Sequence, residues 1–232
     1  MLNWNLRIDR KGIPPMIDES TKELDAKDLR ELQLGGEKAL ARVLERHRNQ
    51  LARMIEFRLD RRLLTRLDVD DVLQEAYLVQ ARRLDDYLQN PAVPVFVWLR
   101  TMTQQVIVDM QRRHLRAKKR DARLDVPLNR RAGAGSASVS IAARLAASLT
   151  SPSKAAVRAD MRAHLQAALD EMEPIDGEVL ALRHFEELSN NEVALILGLS
   201  AAAASNRYTR ALKRLGQIMK EAKLYEEETI GR

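Results

Sequence analysis

The chain of 232 residues contains no cysteine, which excludes disulfides, thiolate metal sites and thiol nucleophiles. No apolar run approaches the ~18–20 residues of a membrane-spanning helix. The N-terminal stretch MLNWNLRIDRKGIPP lacks the continuous apolar centre of a secretory signal. Those absences predict a cytoplasmic protein with no membrane partner. A glycine-rich phosphate loop is also missing, because Gly35-Gly36 reads only as a helix breaker ahead of Glu37. His47, His114, His164 and His184 stand apart, without metal-ligand spacing. One adjacent carboxylate pair, Asp70-Asp71, is too small a donor set for Mg²⁺. We therefore expect no enzyme activity, no metal and no cofactor.

What is present is helical and basic. Hydrophobic residues make up 45 % of the chain and charged ones 31 %, the balance of a folded soluble protein. Lys and Arg (39) outnumber Asp and Glu (33), giving a net charge of +6 and a pI near 9.7. That excess favours an acidic partner, either nucleic acid or a membrane surface. Apolar residues recur at helical spacing almost throughout, and no convincing period-two strand is seen. The expected fold class is all-α, with two small helical domains joined by a flexible linker.

One stripe runs Leu40, Val43, Leu44, His47, Leu51, Met54 and Ile55. Asp68 is placed to cap a second helix carrying Val69, Val72, Leu73, Ala76, Tyr77 and Leu84. Pro94 opens a third, with Val97, Trp98, Met102, Val106 and Met110. These define a first domain at about residues 37–125, preceded by a polar extension over 1–36. Residues 126–154 are rich in small side chains and read as the linker, with room for a short helix at Ile141–Leu149. Periodicity resumes at Val157, Met161, Leu165 and Leu169, and a second domain spans about 155–222 before a short tail, 223–232.

The stretch LSNNEVALILGLSAAAASNRYTRALKRL carries the sharpest local signal. Ser189 and Glu192 fit a capping box, Gly198 fits a left-handed helix stop, and Ser200 caps the next helix. This spacing is that of a helix-turn-helix. Ala204, Tyr208, Ala211 and Leu215 share the core stripe of the second helix. Ser200, Ala202, Ala203, Ser205, Asn206, Arg207, Arg210 and Arg214 fall outside it. Small residues let a backbone approach the major groove, where Asn206 suits adenine and an arginine suits guanine or phosphate. The spacing alone is equally met by a helix pair with a solvated basic face; the caps and three arginines favour DNA contact.

Three segments in order resemble the extracytoplasmic-function (ECF) group of bacterial RNA polymerase sigma factors. DVDDVLQEAYL (68–78) is similar to that group's acidic helix. FVWLRTMTQQVIVDMQRR (96–113) is similar to its tryptophan-containing promoter helix, and the C-terminal stretch from Glu178 to Leu215 is similar to its DNA-binding segment. The resemblance implies a promoter-specificity factor that binds core RNA polymerase and promoter DNA, double-stranded and then melted, with an anti-sigma factor as a further partner. The face Asp70, Asp71, Gln74, Glu75 and Leu78 would meet polymerase. The −35 element would lie on the Ser200–Arg214 helix. The −10 element would meet Arg100, Gln104, Gln105, Asp109, Arg112 and Arg113, followed by the basic run with Arg116, Lys118 and Lys119. A loop over 86–94 would capture an unstacked base through Tyr87 and Asn90. Gln105 stands where the family pattern has Asn, and Ser205 where Lys is frequent. From the residues alone, a helix-turn-helix regulator that never joins polymerase explains the C-terminal stretch as well.

Overall fold

The computed structural model describes residues 19–60, 63, 67–121, 137–149 and 155–230, and no strand occurs among them. The elements are α1 (Glu19–Arg58), α2 (Val69–Gln89), α3 (Val95–Asp121), α4 (Ala137–Leu149), α5 (Ala155–Asp170) and α6 (Pro174–Leu180). A π-helical turn (Ala181–Phe185), α7 (Asn190–Leu197) and α8 (Ala201–Ile230) complete the order. No described helix is long and apolar enough to cross a membrane. No described group of three or more His, Asp or Glu residues could hold a metal ion.

Helix α1 is two helices broken at Gly36, whose φ of 52° and ψ of −137° lie outside the helical region; a residue without Cβ adopts that conformation at no steric cost. A Cβ on the neighbouring Gly35 would sit 2.9 Å from that of Ala39, so the bend is also tight. The arm before the bend is a helix where the sequence reads as a polar extension. It buries Leu32 and Asp28. Asp28 pairs with His47 at 2.6 Å and also binds Arg46. Asp25 accepts the Val95 N–H at 2.6 Å, supplying a partner to one of the orphan amides at the start of α3. Burial raises the Asp25 carboxyl above its ordinary value, against the opposing effect of that hydrogen bond.

Helix α2 starts as the sequence predicts. Asp68 and Asp71 form a capping box, with Asp68 Oδ1 accepting from Asp71 N at 2.8 Å and Asp71 Oδ2 from Asp68 N at 2.9 Å. Leu84 and Tyr87 of α2 pack against Val95, Trp98, Leu99 and Met102 of α3 and Leu40 and Val43 of α1. The interior also holds two amides. Gln80 donates to the Leu99 carbonyl (3.1 Å) and to Thr103 (3.3 Å), and Gln111 donates to the Arg58 carbonyl (3.0 Å). Both side chains are buried, and a buried polar group must find such partners or lose about 1–3 kcal/mol.

The C-terminal half is a second bundle, with Ile141, Ala142 and Ala146 of α4 and Met161, Leu165 and Leu169 of α5 packed against Leu180, Ala211, Leu215 and Ile218. Helix α4 is the short helix allowed for in the linker sequence. Its alanines let it lie close on α5, where its own apolar area is small.

The two halves share a core. Met54, Ile55, Phe96, Val97 and Ile107 belong to one cluster with Val179, Leu182, Leu188, Val193 and Ile196. Four charges lie in this junction. Glu186, 1 % exposed, accepts from Arg58 Nε at 2.7 Å and from Arg100 Nε and NH2 at 3.0 and 2.8 Å. Arg58 also donates to Glu178 at 2.5 and 3.1 Å. Burial alone would raise the Glu186 carboxyl, but the charges of Arg58 and Arg100 and their hydrogen bonds hold it below the usual carboxylate range. The chain turns sharply just after it: Glu187 has φ +60°, so Glu186 points inward and Leu188 returns to the core.

Candidate nucleic-acid interface

The turn between α7 and α8 is held by hydrogen bonds at the start of α7, at its end and at the start of α8. Ser189 Oγ accepts the Glu192 N–H at 3.2 Å, and Glu192 Oε2 accepts the Ser189 N–H at 2.7 Å. At the other end Gly198 sits at φ 63°, ψ 34°. The Leu199 N–H bonds the Ala194 carbonyl (2.8 Å) and the Gly198 N–H that of Leu195 (3.3 Å), the paired bonds of a Schellman stop. Ser200 Oγ then accepts the Ala203 N–H at 3.1 Å, and Asn190 Nδ2 ties back to the Ala201 carbonyl at 2.8 Å. The second bond fixes the angle between the two helices.

Helix α8 presents three faces, which follow from about 100° of rotation per residue. Ala204, Ala211 and Leu215 are buried, with Tyr208 partly so. Arg183 lies over the Tyr208 ring, 5.2 Å from its centroid. Ala202, Ser205, Asn206, Thr209 and Lys213 are all exposed and form one stripe opposite that core. Thr209 and Lys213 belong to it although the sequence reading missed them; the i, i+3, i+4, i+7, i+11 spacing from Ala202 was the available signal. Ala203 is half-buried at the stripe's edge, beside the exposed cap Ser200.

The arginines occupy the third face. Arg210 makes a two-pronged contact with Asp176, Nε to Oδ2 at 2.7 Å and NH2 to Oδ1 at 3.0 Å. Arg207 NH1 donates to Asp176 Oδ1 at 2.7 Å and to Glu173 at 2.9 Å. Arg214 pairs with Glu171 at 2.8 Å. Three arginines on one edge of α8 thus meet Glu171 and Glu173 of the α5–α6 connection and Asp176 in the first turn of α6. The sequence reading aimed them outward at DNA. In the folded chain they are turned sideways onto their own domain, because residues some 30–40 positions earlier, invisible to local periodicity, supply the carboxylates. Burial pushes the Asp176 carboxyl up, but the hydrogen bonds from Arg210 and Arg207 and their charges hold it below the usual range.

On α2, Gln74 is exposed and so is Leu78, at 47 %. Asp70 is exposed and paired with Arg48, and Glu75 meets Arg113 at 3.3 Å. Asp71 lies on this face too, although its carboxylate is engaged by the cap. One turn-to-turn strip therefore carries an apolar side chain among amide and acidic groups.

On α3 the expected set divides. Gln105, Asp109, Arg112 and Arg113 are exposed, and Gln104 is half-buried. Arg100 is a correction: it is 5 % exposed and bound to Glu186 rather than facing outward, because that side of α3 is covered by the C-terminal half. Tyr87 is another. Helix α2 continues to Gln89, so Tyr87 is not in a loop. Its ring stacks on Trp98 at 4.4 Å and its hydroxyl donates to the Val93 carbonyl at 2.8 Å. Asn90 remains exposed at the helix end. The side chains of Arg116, Lys118 and Lys119 lie outside the described residues.

A capped helix-turn-helix with a small-residue outer stripe defines the C-terminal half as a DNA-binding module. Residues 162–215 match the family model for sigma-70, region 4. That segment of the chain, from α5 into α8, is thus similar to region 4 of sigma-70 factors. Among solved structures it is similar to CnrH in complex with the cytosolic domain of CnrY, at 22 % identity over 88 % of this chain and 99 % of that chain, with a TM-score of 0.46. No curated protein matches the chain.

Proposed function

We propose that the chain is an ECF-type sigma factor whose two halves divide the promoter between them. The domain at about 155–222 reads the −35 element through α8. The domain at about 37–125 holds core polymerase through the Gln74–Leu78 strip of α2 and meets the −10 element with the outer side of α3. The observation that carries this reading is the exposed stripe Ala202–Ser205–Asn206–Thr209 on a helix held by a capped turn, within the segment that matches sigma-70 region 4. Alanine and threonine methyls complement thymine methyl groups, the Asn206 amide is suited to adenine, and Lys213 is suited to phosphate. On α3, Gln105, Asp109, Arg112 and Arg113 remain as the −10 contacts, with Asn90 at the preceding loop to meet an unstacked base.

A strip that is acidic, amide-bearing and apolar at Leu78 has the composition of a protein-docking surface, with charge for register and apolar area for affinity. An anti-sigma protein that competes for the same surfaces is a further partner in this reading. The work is done by binding energy, with no bond chemistry. The test is an initiation assay on a randomised promoter library with core RNA polymerase added or omitted. A sigma factor yields sequence-specific transcripts only with core present and only with this chain present. A chain that binds its preferred duplex tightly but never redirects core would instead be a repressor-type regulator.

A further inference from the structure

We propose that Asp176, assisted by Glu173, determines the specificity of α8 by occupying Arg207 and Arg210 in place of DNA phosphates. This deepens the promoter reading above and rests on it. The Asp176 carboxylate is buried and sits in the first turn of α6, a position where a helix N-terminus favours negative charge. It offers a guanidinium the planar, two-pronged acceptor geometry that a phosphate offers, and Arg210 takes it in that form at 2.7 and 3.0 Å. Arg207 shares the same carboxylate and adds Glu173 at 2.9 Å. Both arginines are only partly buried, Arg210 with a 57 % exposed side chain, so their charges border the surface that DNA would approach.

The consequence concerns selectivity. Phosphate contacts raise affinity for every sequence, whereas base-edge contacts raise it for one. A recognition helix with Arg207 and Arg210 free would gain affinity for any duplex. With both arginines held by the body of the domain, discrimination falls to Ala202, Ser205, Asn206 and Thr209. The arrangement exchanges sequence-independent affinity for a larger share of base reading.

The experiment compares the full-length wild type with Asp176→Asn, Glu173→Gln and Asp170→Asn. Asp170 accepts from Ser138 and Gln166 and touches no arginine in any contact above, so its variant changes net charge equally without freeing Arg207 or Arg210. Each is titrated with a random-sequence 24-base-pair duplex and with the duplex that wild-type holoenzyme enriches from a randomised pool, between about 50 and 200 mM salt. Freeing one or two phosphate contacts steepens the salt slope by roughly 0.9–1.8, so the affinity lost across that range grows roughly 3- to 12-fold. We expect this for Asp176→Asn, a smaller change of the same sign for Glu173→Gln, and a lower ratio of selected to random affinity in both. Adding Arg210→Ala to Asp176→Asn should return much of the slope.

Equal slopes and ratios in wild type and Asp176→Asn, with helix content retained, would overturn the proposal, as would an equal change in Asp170→Asn. Should Asp176→Asn fail to fold, Glu173→Gln decides by the same criterion, since Glu173 is exposed. If wild-type holoenzyme enriches no sequence, it is the promoter reading that fails. The random-duplex slopes still test Asp176 in that case.

Discussion

Replacing Glu186 by alanine removes one carboxylate, leaving the Arg100 guanidinium without its acid and that of Arg58 with one acid of two. Arg58 and Arg100 are each 5 % exposed, and Arg100 has no other acceptor among its described contacts. Arg58 retains Glu178, which is itself partly exposed. Breaking a buried ion pair by deleting one partner costs about 3–5 kcal/mol, most of it the desolvation of the charge left behind. Because Arg58 keeps one acid, the lower part of that range applies, about 3 kcal/mol. With a urea m-value of about 3 kcal/mol/M, the unfolding midpoint of Glu186→Ala should fall by roughly 1 M. The complementary variant removes the whole cluster: Arg58→Met, Arg100→Met, Glu178→Leu and Glu186→Leu together. Apolar groups of similar volume forgo the Coulomb attraction but also escape the desolvation penalty. That protein should be nearly as stable as wild type. The assay is equilibrium urea unfolding followed by circular dichroism on the full chain. A single-variant loss below about 1 kcal/mol would mean that the junction opens to water and that the four charges are not a buried unit.

The same carboxylate sets an acid limit. Its folded pKa lies below its unfolded value, so its stabilisation is complete above the unfolded value of about 4.3 and is lost as pH falls through the folded pKa. Glu186→Gln should therefore show a shallower loss of stability below about pH 4 than wild type, read from melting midpoints between pH 3 and 7. Glu187 holds a left-handed conformation that costs a non-glycine residue about 1–2 kcal/mol. Its contact with Arg53 is exposed and 3.3 Å long, so Glu187→Gly should raise the melting midpoint by roughly 2–4 °C in a scan; a lowered midpoint would show that the Arg53 pair outweighs the strain. Gln74→Ala with Leu78→Ser changes two exposed groups on α2. It should weaken co-purification with core polymerase while leaving helix content unchanged, whereas Asp71→Ala should cost about 1 kcal/mol of helix capping as well.

Local features were the ones legible in advance. The Asp68 cap, the capping box at Ser189, the left-handed Gly198 and the Ser200 cap depend on residues within four positions of each other, so side-chain type and spacing determine them. The stripes of α2, α3 and α8 were readable for the same reason. Features made by distant pairing were not. Glu186 reads as one more polar residue before a helix, and only the approach of Arg58 and Arg100, 128 and 86 residues away, turns it inward. Asp71 completes the cap of α2 and also lies on the face proposed for docking, and its place in the sequence does not rank the two. Tyr87 was placed in the loop over 86–94 by the family resemblance alone; helix α2 continues to Gln89, and the ring stacks on Trp98. The arm from Glu19 to Gly35 carries few bulky apolar residues, and its helix is fixed to the body by Asp25 and Asp28 rather than by a long hydrophobic stripe.

The claim on which the account rests is that the outer stripe of α8 reads promoter bases while α2 holds polymerase. DNA selection from a randomised promoter pool, performed with holoenzyme containing either wild type or Asn206→Ala, tests it most directly. The account predicts that Asn206→Ala loses preference at one or two adjacent positions of the −35 element, keeps the −10 preference, and retains full core binding. Identical selected sequences from the two holoenzymes would contradict it.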